Sequence, residues 1–138
     1  ASIIDSVQVA AFADSDVCKK ILKADFVRRE LPFFVTVSPS ELTDKKKDGE
    51  GGGKILVQGV IDCLFSDSDG TLTVLDYKTD AKKSGVTEEE FRTEMIEKHK
   101  RQLNLYRAAA EEITRRKVGK AMLWSFALND VIEIPQDS

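Results

Sequence analysis

At 138 residues the chain is most simply one domain around a single hydrophobic core. Its 41% apolar and 33% charged residues are those of a soluble globular protein, and a net charge of -3 lacks the overall basic balance of a typical nucleic-acid binder, while leaving room for a local basic groove. No run approaches the roughly 18 apolar residues of a membrane span, and Cys18 and Cys63 form no CxxC or Cys/His cluster, so neither a membrane role nor a zinc or iron–sulfur site is expected.

The chain opens at Ala1 directly in a helical pattern, which reads as a piece of a longer protein, and without a signal peptide a reducing, cytoplasmic setting is the default. "SIIDSVQVAAFAD" and "DSDVCKKILKAD" predict two short helices, the second capped by Asp14 or Ser15. "FVRRELPFFVTVS" has strand character, with Pro32 marking an edge or bend. "DKKKDGEGGGK" is a solvated connection, and no phosphate loop, because Asp48 stands where the first glycine is required. "KILVQGVIDCLF" and "TLTVLDYKT" are the two strongest strands, joined by "SDSDG", which lacks the downstream glutamate of a calcium loop. A long helix follows from Thr87 to about Lys117, with Thr87 and Glu90 as a capping box and Gly119 as the stop. Phe91, Met95, Leu103, Tyr106, Ala110 and Ile113 form its buried stripe. "KAMLWSFAL" is a last core strand, with Trp124 packed in it, and "VIEIP" adds a short one. The order predicts an α/β or α+β fold, a central mixed β-sheet flanked by helices.

Two aspartates interrupt the strongest strands. By strand parity Asp62 falls with Leu56, Gln58, Val60 and Leu64, and Asp76 with Leu72, Val74 and Lys78. A hairpin centred near Asp69 pairs residues whose numbers sum to about 138, which sets Asp62 across from Asp76, with Cβ atoms roughly 5 Å apart. Opposed carboxylates in a covered sheet need compensation: a shared proton, or a divalent cation such as Mg²⁺ or Mn²⁺ held by hard oxygen ligands. Lys78 on the same face favours the second, because an ammonium group there can orient or deprotonate an attacking water and offset phosphate charge. The alternative is an exposed, salt-bridged sheet face. Apolar residues on both parities of both strands argue for cover on both sides.

"QGVIDCLF" followed by "LDYKTD" resembles the G-x-x-D … D-Y-K-[ST] core of the PD-(D/E)xK nuclease superfamily, in its RecB-type branch. "RRELPFFV" resembles the R-E-x-P-F strand, and "RQLNLYRAA" the Q-x-x-x-Y motif, of the nuclease domains of AddA subunits of helicase–nucleases. The resemblance implies a restriction-endonuclease-like core that cleaves DNA with Mg²⁺, or with Mn²⁺. Asp62, Asp76 and the Tyr77 backbone carbonyl would be metal ligands and Lys78 the catalytic lysine. Gln102 and Tyr106 would line the site or touch DNA, and Glu30 would be structural or catalytic. It further implies an exonuclease acting on the 3′-terminated strand in double-strand-break repair, beside a helicase portion and an AddB-type subunit. One feature departs from the pattern: RecB-type nucleases carry a histidine ligand upstream, and the single histidine here, His99, lies downstream and reads as a surface or boundary residue. The rival readings are a non-catalytic DNA- or protein-binding module on a degenerate nuclease fold and another RecB-like exonuclease.

Overall fold

The computed structural model describes residues 5–38 and 54–136, so most of the expected 44–54 connection and the start of the first helix lie outside the described residues. Helix α1 (Ser6–Ala13) starts at Asp5, whose carboxylate accepts from Gln8 N while the Gln8 side chain accepts from Asp5 N. Helix α2 (Asp16–Lys23) is capped by Ser15 rather than Asp14, the hydroxyl accepting from Cys18 N. Strands β1 (Val27–Val37), β2 (Ile55–Ser66) and β3 (Leu72–Lys78) precede the long helix α3 (Glu88–Thr114), and β4 (Val118–Ser125) and β5 (Asp130–Ile134) close the chain.

The capping box of α3 is present at Thr87 and Glu90. Its end comes earlier than expected: Arg115 takes a left-handed φ of 58° and the helix stops at Thr114. Val118 must already leave the helix to pair with Leu72, and its N–H is taken by the Glu111 carboxylate. Gly119 therefore lies in β4 and stops nothing; a Cβ there would sit 2.7 Å from Thr71 Oγ1. Ile113, on the last turn, is 46% exposed, which removes it from the expected stripe.

The five strands form one mixed sheet in the order β1-β2-β3-β4-β5, antiparallel throughout except for parallel β3 and β4, which α3 connects. One face is covered by α3: Phe91, Met95, Leu103 and Tyr106 pack on Phe33, Ile61, Leu64, Leu72 and Val74. The other is covered by α1 and α2: Val17 and Ile21 pack with Cys63, Phe65, Leu75 and Trp124, and Phe12 of α1 meets Trp124 edge-on at 5.1 Å. Cys63 is fully buried and free, a small hydrophobe whose thiol burial pushes up to about 11. Among the described residues no helix is long and apolar enough to cross a membrane.

The expectation that β2 is covered on both faces holds only for its second half. Leu56 and Val60 are 63% and 47% exposed, beside Phe34 at 68%. The simple parity grouping also fails: Val27 packs on the α2 side but Leu31 and Phe33 on the α3 side, although all three numbers are odd. Across the ladder Cys63 faces α2 and Ile61 faces α3. Both strands change faces at one level, where Glu30 has a φ of 51° and falls opposite Asp62. Of the residues grouped with Asp62 by parity, only Leu64 joins the α3-side core.

Candidate active site at the end of the β2–β3 hairpin

The turn between β2 and β3 is closed by Asp67 N to Thr71 O and Gly70 N to Asp67 O, with Gly70 at a φ of 87° that favours glycine. It sets the expected register: Cys63 pairs with Leu75 and Leu64 with Val74, so Asp62 comes opposite Asp76. There the regular ladder ends, and the next rung is made by a side chain, with Tyr77 N donating to Asp62 Oδ2 at 2.9 Å.

Asp76 is 4% exposed. Its Oδ2 lies 2.7 Å from Lys78 Nζ, so the ammonium group is a partner of this buried oxygen. Burial pushes the Asp76 carboxyl up to about 6; the neighbouring Asp62 carboxylate, with which it can share a proton, adds to this, and Lys78 opposes it. Lys78 Nζ also donates to Gln102 Oε1 at 2.9 Å, and Gln102 Nε2 donates to Tyr106 OH at 3.0 Å. Lysine has only donors, so its bond fixes which way the Gln102 amide points. Burial raises the Tyr106 phenol above its ordinary range, and the charges of Asp76 and Asp62 raise it further.

Tyr106 is set in turn by Phe33, whose ring meets it edge-on at 5.4 Å. Phe33 lies over Gly59, where a Cβ would come within 2.9 Å of its Cζ. The first glycine of G-x-x-D thus makes room for the ring that supports the tyrosine of Q-x-x-x-Y. A groove of about 240 Å³ runs from Gln102 and Tyr106 past Phe33, Gln58 and Gly59. A larger cavity of about 400 Å³ lies on the α2 side of the sheet, and no residue of the carboxylate site lines it.

Six of the seven singled-out residues therefore meet in one place: Asp62, Asp76, Tyr77, Lys78, Gln102 and Tyr106. The Tyr77 backbone joins through its N–H, while its ring packs on the opposite face at 5.3 Å from Phe12. Glu30 is adjacent in register but exposed, and among the described residues no third Asp, Glu, His or Cys joins the pair in a metal-sized group. Of the two readings of His99, surface or boundary, the structure gives the boundary: its ring is 12% exposed and its Nε2 is 3.4 Å from Asp80 Oδ2. Sequence reasoning missed this pair, although His99 stands three residues before Gln102 and Asp80 two after Lys78. The basic residues of α3 form a salt-bridged face, as in Arg92 with Glu88 and Asp130, and Lys100 with Glu97.

The donor set suits a hard divalent cation. Two adjoining carboxylates, one of them buried and offset by a single ammonium group, form a set of hard oxygen ligands that proton sharing satisfies only at acidic pH.

Comparison with known proteins agrees with this geometry. The family model of the PD-(D/E)XK nuclease superfamily matches residues 9–135. The chain belongs to the PD-(D/E)XK nuclease superfamily. It is 34% identical over 134 residues to the A subunit of the ATP-dependent helicase/nuclease of Oceanobacillus iheyensis, covering 95% of this chain and 10% of that protein. The corresponding A subunit of Clostridium novyi is 34% identical over 135 residues, covering 97% and 10%. That of Geobacillus kaustophilus is 37% identical over 129 residues, covering 91% and 10%. The chain thus spans about a tenth of the length of the curated relatives it matches. The resemblance read from the four motifs is borne out, and the PD-(D/E)XK fold is the mixed sheet with flanking helices that the element order predicted.

Proposed function

We propose that this chain is the nuclease domain of a longer helicase–nuclease chain and hydrolyses DNA phosphodiesters at the Asp62–Asp76–Lys78 site, leaving 5′-phosphate and 3′-hydroxyl ends. The observation that carries the reading is the buried Asp76 carboxylate, facing Asp62 and bridged by Lys78 to Gln102. Asp62, Asp76 and the Tyr77 carbonyl would hold Mg²⁺, or Mn²⁺, which when bound polarises the phosphate and makes water a better nucleophile. Asp76 draws the ammonium group of Lys78 inward, against the carboxylates, and Gln102 fixes its direction. From that position Lys78 orients the attacking water and offsets charge gathering on the phosphate. Gln102 and Tyr106 border the groove by which a strand would reach the site. By similarity to the A subunits of helicase/nucleases, the substrate would be the 3′-terminated strand delivered by a helicase portion during double-strand-break repair in the bacterial cytoplasm. The partner would be an AddB-type subunit.

The test is digestion of end-labelled linear DNA with Mg²⁺, with Mn²⁺ and with EDTA. Cleavage is expected only with metal, and Lys78→Ala is expected to cut at least about a hundredfold more slowly. Loss of the 3′-labelled strand alone would support the polarity. If wild type and Lys78→Ala are equally inert with either metal, the chain is a binding module on a nuclease fold.

A further inference from the structure

Strand β3 ends at Lys78, which still pairs with Ser125, and beyond it the sheet no longer restrains the chain. The Lys78 carbonyl is held by Phe126 N at 3.1 Å, but its ammonium group is aimed only by side chains, Asp76 and Gln102. Aiming a long, four-carbon stem costs rotamer freedom, and a fixed backbone beyond it leaves less freedom to lose. Asp80 supplies that fixed point. Its Oδ2 accepts from Lys98 Nζ at 2.7 Å and lies 3.4 Å from His99 Nε2. His99 and Gln102 are three residues apart on α3 and so share one side of the helix. The helix therefore grips the end of β3 twice, Gln102 on Lys78 and His99 with Lys98 on Asp80.

The two partners of Asp80 differ in cover. The His99 ring is mostly buried, whereas the Lys98 side chain is 66% exposed, and exposed ion pairs contribute little. Burial holds His99 below its ordinary pKa, and the charge of Lys78 pushes the same way.

We propose that Asp80, seated on His99, is a positioning residue that aims the Lys78 ammonium group into the Asp62–Asp76 site. It acts through Lys78 and touches no reacting atom. The rate measurements below rest on the nuclease reading, while the labelling measurement does not.

Asp80→Ala is expected to lower kcat for DNA cleavage about tenfold, with KM and melting temperature close to wild type. Asp80→Glu should recover most of the rate, and Lys98→Ala should leave it unchanged. In a Lys78→Ala background, Asp80→Ala should have no further effect, because the group it aims is gone. Equal losses in both backgrounds, or a loss in KM alone, would overturn the proposal. Independently, acetylation by acetic anhydride, read residue by residue by mass spectrometry, should modify Lys78 several-fold faster in Asp80→Ala, with every lysine but Lys98, itself released from Asp80, unchanged. An unchanged Lys78 rate would overturn it as well. If Asp80→Ala does not fold, Asp80→Asn should show smaller shifts of the same sign. A faster Lys78 acetylation in a chain that cuts no DNA would keep the positioning role and remove the nuclease reading.

Discussion

Between about pH 4 and 6 Asp76 of the metal-free chain holds its proton more tightly folded than unfolded, because burial and Asp62 raise its pKa from the ordinary 3.8 to about 6. The contribution of Asp76 to stability therefore falls as pH rises through that window and levels off above about 6, while His99, held below its ordinary 6.5, works in the opposite sense. Asp76→Asn removes the charge and keeps the shape. With EDTA at pH 7 it is expected to be more stable than wild type by roughly 1–3 kcal/mol, and chemical denaturation should show the gain vanishing near pH 4. The same variant should lose cleavage. A Mg²⁺ ion bound there would have to displace the shared proton, so its affinity in titration calorimetry should weaken as pH drops below about 6. Asp62, Asp76 and Lys78 were legible in the sequence because carboxylates and an ammonium group in apolar strands violate the pattern around them. His99 and Asp80 were not, because a histidine among lysines on a helix looks solvated until the chain after β3 is seen folded against it.

Strands β1 and β2 change faces together at Glu30 and Asp62, and this is what aims Asp62 towards α3 beside Asp76 while leaving Val60 and Leu56 outside. A left-handed backbone costs a non-glycine residue about 1–2 kcal/mol. Glu30→Gly should therefore be unchanged or up to about 1 kcal/mol more stable, with normal cleavage, while Glu30→Val should lose about 1–2 kcal/mol in denaturant titration. A loss of cleavage in a stable Glu30→Gly would instead make the carboxylate part of the chemistry. Gly59→Ala pushes the new methyl against Phe33 and through it against Tyr106. It should cost about 1–3 kcal/mol and slow cleavage, both recoverable by a smaller residue at position 33. The hairpin register was readable from the position of its turn, whereas the change of faces was not. Period-2 reasoning assumes an unbroken pleat, and nothing in the residue types of "RRELPFF" marks Glu30 as the break. The helix stop was misread for a related reason: Gly119 is a helix terminator by type, but the pairing of Val118 with Leu72 needs the chain extended before it.

At the scale of the whole molecule, the site draws on β2, β3 and α3, so a cation held there ties together parts of the sheet and the covering helix that are far apart in sequence. A ligand that binds only the folded state stabilises it by about 2.7 kcal/mol at a hundredfold excess over Kd. Mg²⁺ should accordingly raise the melting temperature of the wild type by several degrees and leave that of an Asp62→Asn, Asp76→Asn double variant unmoved. The overall architecture was legible because strand and helix periods alternate cleanly along the chain; the uneven cover of the sheet was not, since Phe34, Leu56 and Val60 look like core residues by type and are left outside by the fold. Asp62 does two things at once, since its Oδ2 closes the last rung between β2 and β3. Drift away from activity is therefore constrained unequally across the site. A lineage that no longer cut DNA could discard Lys78 together with Asp76, the buried carboxylate it offsets, but would still need an acceptor such as asparagine at position 62 to keep its hairpin closed.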